Sequence, residues 1–188
     1  MTSPNTGGSE IDFDFISEFE GGSINQGYVP DAKNSQSGVT VAIGFDLGAR
    51  DTNDLYQLGF DDELVALLRP YMGLKGLEAA DFVSRNPLII TDAQADVINY
   101  SVKGALINKL MRRYEDATNI AFRNLPAVWQ TVIASVEFQY GSVQSKCPTF
   151  WRCVCSQDWQ SAINELRNFG DRYPTRRNKE ADYAQRGI

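Results

Sequence analysis

The chain has 188 residues, 43% of them hydrophobic, a formal net charge of −6 and no histidine. This length fits one domain, or one domain with two lobes, and the acidic balance argues against a general nucleic-acid binder, which would present a basic face. The absence of histidine excludes His-based triads and His-ligated metal sites, so catalysis must rest on Asp, Glu, Thr, Tyr, Lys or Cys. No stretch approaches the roughly 20 apolar residues that span a bilayer. Met1–Ser9 is polar and rich in Gly and Ser, without the charged-then-apolar run of a secretory signal, and reads as a flexible lead. Three cysteines, Cys147, Cys153 and Cys155, are too few for a four-cysteine zinc site. They read as free thiols or as one disulfide of Cys147 with Cys153 or Cys155, which requires an oxidising compartment.

In chain order, Ile11, Phe15, Ile16 and Phe19 share one helical face and predict a helix over Glu10–Glu20, stopped by Gly21-Gly22. Ser23–Gly38 is polar and turn-rich and reads as a hairpin or long loop. Val39, Val41 and Ile43 alternate with Thr40, Ala42 and Gly44, the pattern of a half-buried strand. The remainder is helical. Asp61 or Asp62 caps a helix that stops at Pro70, and Glu78–Arg85 forms a short one. Thr91 and Gln94 form a capping box for a long helix with the stripe Ile98, Val102, Ala105, Leu106 and Leu110. Pro126 starts a helix that runs to Gly141. Asp158 caps another, with Trp159, Ala162, Ile163 and Leu166 on one face and Gly170 at its end; Thr175 opens the last. The expected fold is α+β and mostly helical: a small β-containing lobe over about 20–60 and a helical lobe over about 61–188 plus 10–20, joined by the long helix. A cleft between two lobes suits an extended ligand.

Glu20 ends its helix just before Gly21-Gly22, and a strand bearing Thr40 and Asp46 follows. A helix C-terminus carries partial negative charge, which disfavours a further anion and so suits a general acid. Glu18, one turn after Asp14, is the competing acid. Thr40 falls on the polar face of its strand, where its hydroxyl can hold a water. Two aspartates compete as the second carboxylate. Asp31 can lie across from Thr40 on a neighbouring strand. Asp46 shares a strand with Thr40, and six residues of straight strand span roughly 20 Å, so only a bend at the flanking Gly44 and Gly48 brings the two together.

These residues carry a resemblance. Ile16-Ser17-Glu18-Phe19-Glu20-Gly21, Gly27-Tyr28-Val29-Pro30-Asp31 and Thr40-Val41-Ala42-Ile43-Gly44 resemble the catalytic lobe of tailed-phage lysozymes: an acid Glu-Gly at a helix end, a Tyr-x-Asp hairpin and a Thr-x-Gly-x-Gly strand. Ile90-Thr91-Asp92-Ala93-Gln94-Ala95 is similar to that family's opening of the connecting helix. Phe138-Gln139-Tyr140-Gly141 is similar to its cleft motif, Trp159 to its Trp-x-x-Ala helix start, and Arg176-Arg177-Asn178-Lys179-Glu180 to its closing helix. The longer hairpin and the run Gly44-Phe45-Asp46-Leu47-Gly48 bring the chain closer to the toxin branch, the pesticin-like lysozyme domain. Many phage lysozymes have histidine where this chain has Phe45, a structural position.

The resemblance implies a two-lobed lysozyme-like fold and a muramidase, a glycoside hydrolase that cleaves the β-1,4 bond between N-acetylmuramic acid and N-acetylglucosamine. It implies Glu20 as general acid, Thr40 as the water-positioning residue, Asp46 (toxin branch) or Asp31 (phage branch) as second carboxylate, and Arg177 as charge partner of Glu20. Phe138, Gln139 and Tyr28 are the implied sugar contacts. No metal or cofactor is required. The implied partners are peptidoglycan strands and an immunity protein, with no nucleic acid and no membrane insertion, for a monomer. Without a signal, such a chain is expected to reach the periplasm by a secretion system, by toxin import or through a holin. The acidic balance and the toxin-branch motif favour an antibacterial toxin or effector; the alternatives are a phage endolysin and an inactive lysozyme-like binding module.

Overall fold

The computed structural model of the chain describes residues 8–187; of the expected lead, residues 1–7 lie outside the described residues. Helix α1 is Phe13–Ser17, capped by Asp12, whose carboxylate accepts the Phe15 N–H at 2.9 Å. The helix expected over Glu10–Glu20 is shortened at both ends for physical reasons. Upstream, the Glu10 and Asp12 N–H groups donate to Gln130 Oε1 and Thr131 Oγ1, each at 2.9 Å, so this stretch is tied to a distant helix. Downstream, the Phe19 and Glu20 N–H groups donate to the Ile16 and Ser17 carbonyls, each at 3.1 Å, bonds of the tighter i→i−3 kind. Glu20 therefore lies beyond the helix, in a closing turn that runs into Gly21-Gly22.

Three short strands follow: β1 (Ile24–Tyr28), β2 (Thr40–Ala42) and β3 (Phe45–Asp46), antiparallel in that order. The segment expected as one strand is thus a tight hairpin. The chain reverses at Ile43-Gly44, and Gly44 takes φ 78°, a left-handed conformation open to glycine. The expected burial alternation gives way as well. Val39 through Ala42 are all buried, whereas Ile43, at the turn, is 40% exposed.

Helix α2 (Thr52–Gln57) adds to the expected elements; its capping box is Asp51 with Asp54, two acidic residues where Ser or Thr with Glu is the usual signature. Asp61, of the two candidates, caps α3 (Asp62–Leu68), and Pro70 falls in the 3-10 turn that follows. Helix α4 runs Gly76–Arg85. Helix α5 (Asp92–Thr118) opens on the predicted box: the Thr91 N–H donates to Gln94 Oε1 at 2.9 Å and the Gln94 N–H to Thr91 Oγ1 at 3.2 Å.

The chain divides into two compact units within α5: one is Gly21–Val102, the other the segment through Glu20 with everything from Lys103 onward. The boundary expected near residue 60 moves because α2, α3 and α4 share a core with the strands. Val39, Val41, Phe45 and Leu47 pack with Leu55, Phe60, Leu64, Leu68 and Ala79. Phe45 meets Phe60 edge-on at 5.8 Å and is 4% exposed, a packing position.

In the other unit, α6 (Ala127–Tyr140) is buried on every side from Trp129 to Glu137 and ends at Gly141 with φ 72°, as the central helix of a bundle does. Helices α7 (Val143–Lys146) and α8 (Pro148–Cys155) also add to the expected elements; Ser142 caps the first and Pro148 opens the second. Helix α9 (Trp159–Arg167) follows its Asp158 cap, and α10 runs Pro174–Ala184. Ile16, Ile107, Leu110, Tyr114, Trp129, Phe150 and Leu166 are buried in one core. The α5 stripe is therefore only partly as expected, with Ile107 and Tyr114 taking the buried places that Ala105 and Leu106 lack. The three cysteines are free thiols. The fold is mostly helical α+β, and no helix among the described residues is long and apolar enough to cross a membrane.

Candidate active site

The carboxylate of Glu20 meets the Lys103 ammonium, Nζ to Oε2, at 2.6 Å, and each side chain is only 13% exposed. Lys103 lies in the middle of α5, next to buried Gly104. The charge partner of Glu20 is thus Lys103, a residue that carries no motif, and the expectation of an Arg177–Glu20 pair is corrected. Glu18, the competing acid, pairs with Lys179 at 3.3 Å on the surface.

Arg177 is committed elsewhere. It is 1% exposed, with Nη1 2.9 Å from Glu180 Oε2, Nε 3.5 Å from Asp171, and Nη2 donating to Gln139 Oε1. Its guanidinium faces the Phe169 ring at 5.0 Å. Glu180 is fully buried and also accepts from Arg176 Nε at 3.0 Å and from the Ser135 hydroxyl. Burial pushes the Glu180 carboxyl up, opposed chiefly by Arg177, and burial likewise pushes the Arg177 guanidinium down. This network binds α10 to α6.

In the β-containing unit, the hairpin does what a bend at Gly44 would have to do. Thr40 and Asp46 are cross-strand partners, so the separation of a straight strand does not apply; directly opposed residues have Cβ atoms about 5 Å apart. Thr40 is 3% exposed and donates its hydroxyl to the Gly38 carbonyl at 3.1 Å. Asp46 Oδ1 accepts the N–H groups of Gly38 at 3.0 Å and Gly48 at 2.7 Å. The two glycines pass so closely that a Cβ on either one would collide with the backbone of the other. The carboxylate is therefore held by one oxygen on two backbone donors.

The residue opposite Thr40 on β1 is Tyr28, not Asp31. Asp31 sits in an exposed turn with φ 42°, accepting from Asn34 Nδ2 at 2.9 Å. Tyr28 is 36% exposed. In the other unit, Gln139 lines an open groove of about 570 Å³ together with Phe19, Tyr173, Arg176 and Lys179. Phe138 stacks on Phe13 at 6.3 Å along the margin of the core. One unit holds a shielded carboxyl with a cation on one oxygen; the other, taken by itself, holds a carboxylate across the hairpin from a threonine. These are the groups that acid-assisted glycoside hydrolysis uses.

No curated protein matches the chain. The model of the pesticin family, described as bacterial toxin homologue of phage lysozyme, C-terminal part, matches residues 10–160. That span takes in Glu20, Thr40, Asp46, Phe138 and Gln139 and stops before the Arg177–Glu180 network. The chain therefore belongs to the pesticin family of bacterial toxin homologues of phage lysozyme.

Proposed function

We propose that this chain is a muramidase of an antibacterial toxin, cleaving the β-1,4 bond between N-acetylmuramic acid and N-acetylglucosamine in the cell wall of a rival bacterium. Glu20 gives its proton to the glycosidic oxygen as the bond from the sugar's anomeric carbon breaks. Asp46, with Thr40, steadies the oxocarbenium-like carbon or directs the water that adds to it. Tyr28, Gln139 and Phe138 contact the sugars, and Arg177 supports the site by holding Gln139. The observation that carries this reading is the family match across Glu20, Thr40 and Asp46. Asp46 is preferred to Asp31 because it faces Thr40 across the hairpin. Delivery through a secretion system or by import brings the domain to the periplasm, and the producing cell holds an immunity protein.

The test is digestion of isolated sacculi, following soluble muropeptides and new reducing ends. The wild-type chain releases both, and E20Q loses at least about a hundredfold in rate. Release by E20Q at the wild-type rate would falsify the assignment of Glu20. Tight binding of the wild-type chain to sacculi without release would instead identify a lysozyme-like binding module.

A further inference from the structure

We propose that Lys103 is a positioning residue for Glu20, an inference that rests on the reading of Glu20 as the general acid. The local backbone leaves that carboxyl poorly restrained. It follows a helix of five residues and a closing turn, and it precedes Gly21 and Gly22, around which added side chains would meet open space. What holds the side chain is the ammonium at 2.6 Å. Lys103 belongs to a helix of 27 residues, with Gly104 and Ile107 buried beside it, so the anchor is stiff where the carboxyl's own segment is not. Both side chains are 13% exposed, and a contact so shielded, to the protonated acid as to the carboxylate, keeps its geometry far better than a solvated surface pair.

The pair also matches the needs of proton donation. Among the described residues, Lys103 is the only side chain that donates to Glu20, and it engages Oε2. Oε1 is then the oxygen that presents the proton. As that proton passes to the glycosidic oxygen, negative charge grows on the carboxyl, and the ammonium stabilises it where it grows. Such an interaction is stronger in the transition state than in the bound substrate, so it acts on kcat rather than on KM.

The experiment compares K103M, K103R, E20Q and the E20Q/K103M double variant on isolated sacculi, with kcat, KM and thermal unfolding measured for each. The expected result is a fall in kcat of roughly tenfold or more for K103M, KM within about twofold, and recovery of most of the rate by K103R, which keeps the cation. Adding K103M to E20Q costs nothing further, because the lysine acts only through the carboxyl. Should K103M fail to fold, K103Q, also uncharged, is read in its place. Wild-type kcat in K103M while E20Q is inactive overturns the role of Lys103 alone. So does an equal loss from K103M in both backgrounds. An active E20Q overturns the reading of Glu20 and this inference together.

Discussion

Asp46 and Asp31 differ in how the backbone treats them. Asp46 takes two backbone N–H groups on one oxygen, and hydrogen bonds to a charged acceptor contribute about 1.5–3 kcal/mol each. D46A should therefore lower the unfolding free energy by about 3 kcal/mol or more and reduce muropeptide release at least about a hundredfold. Asp31 occupies a left-handed turn position that asparagine accepts readily. D31N should stay within about 0.5 kcal/mol of wild type and within twofold in rate. Urea unfolding and the sacculus assay on both variants check this, and a dead, fully folded D31N would shift the second-carboxylate role to Asp31. The residue level was the hardest to read from sequence. Glu20, Thr40 and Asp46 stand out by motif, but Lys103 is 83 residues from Glu20 along the chain and carries no local mark. The motif around Arg177 says which residue types stand there, not which atoms meet, and its carboxylate partner is Glu180.

At the scale of elements, termini are legible where a local cap stands beside a long periodic stripe. Thr91 with Gln94, Pro126 with Gly141, and Asp158 each mark an end that the backbone adopts. Helices α2 and α7, of six and four residues, are too short to show a periodic stripe, and α8 starts at Pro148 directly after α7, so no loop signal separates the two. One packing feature was invisible in the alternation of Val39 to Ile43: the crossing of Gly38 over Gly48, which closes the hairpin onto Asp46. A methyl group on Gly48 would meet the Gly38 backbone and, at 2.8 Å, the Leu74 carbonyl. G48A should cost about 1–3 kcal/mol and should lower activity as well, since the Asp46 carboxylate loses its seat. Chemical denaturation with the sacculus assay reads both effects. An unchanged midpoint would show that the crossing relaxes freely.

For the whole molecule, burial of ionisable groups sets the alkaline limit of stability. Cys147 is 6% exposed, and burial pushes its thiol from 9.0 up to about 11. The unfolded chain releases this proton near 9 while the folded chain keeps it to about 11. Unfolding therefore releases a proton in that window, and stability declines as pH rises through it. Burial raises Tyr114 and Tyr140 in the same direction, so the decline is steeper than one group produces. C147A should flatten the dependence of unfolding free energy on pH between about 9 and 11, measured by denaturant titration at several pH values. An identical slope in C147A would assign the effect to the tyrosines.

The tethering of α1 has a consequence for the order of folding. Its entry strand is fastened to Gln130 and Thr131, its cap Asp12 to the Tyr183 hydroxyl at 2.9 Å, and its Phe15 ring to Tyr183 at 4.1 Å. Tyr183 lies 171 residues beyond Asp12 along the chain, so the segment that ends in Glu20 acquires its full set of moorings only once α10 has joined the fold. A chain cut between α9 and α10 keeps the Glu20 segment but loses the ring and the hydroxyl of Tyr183 that moor it.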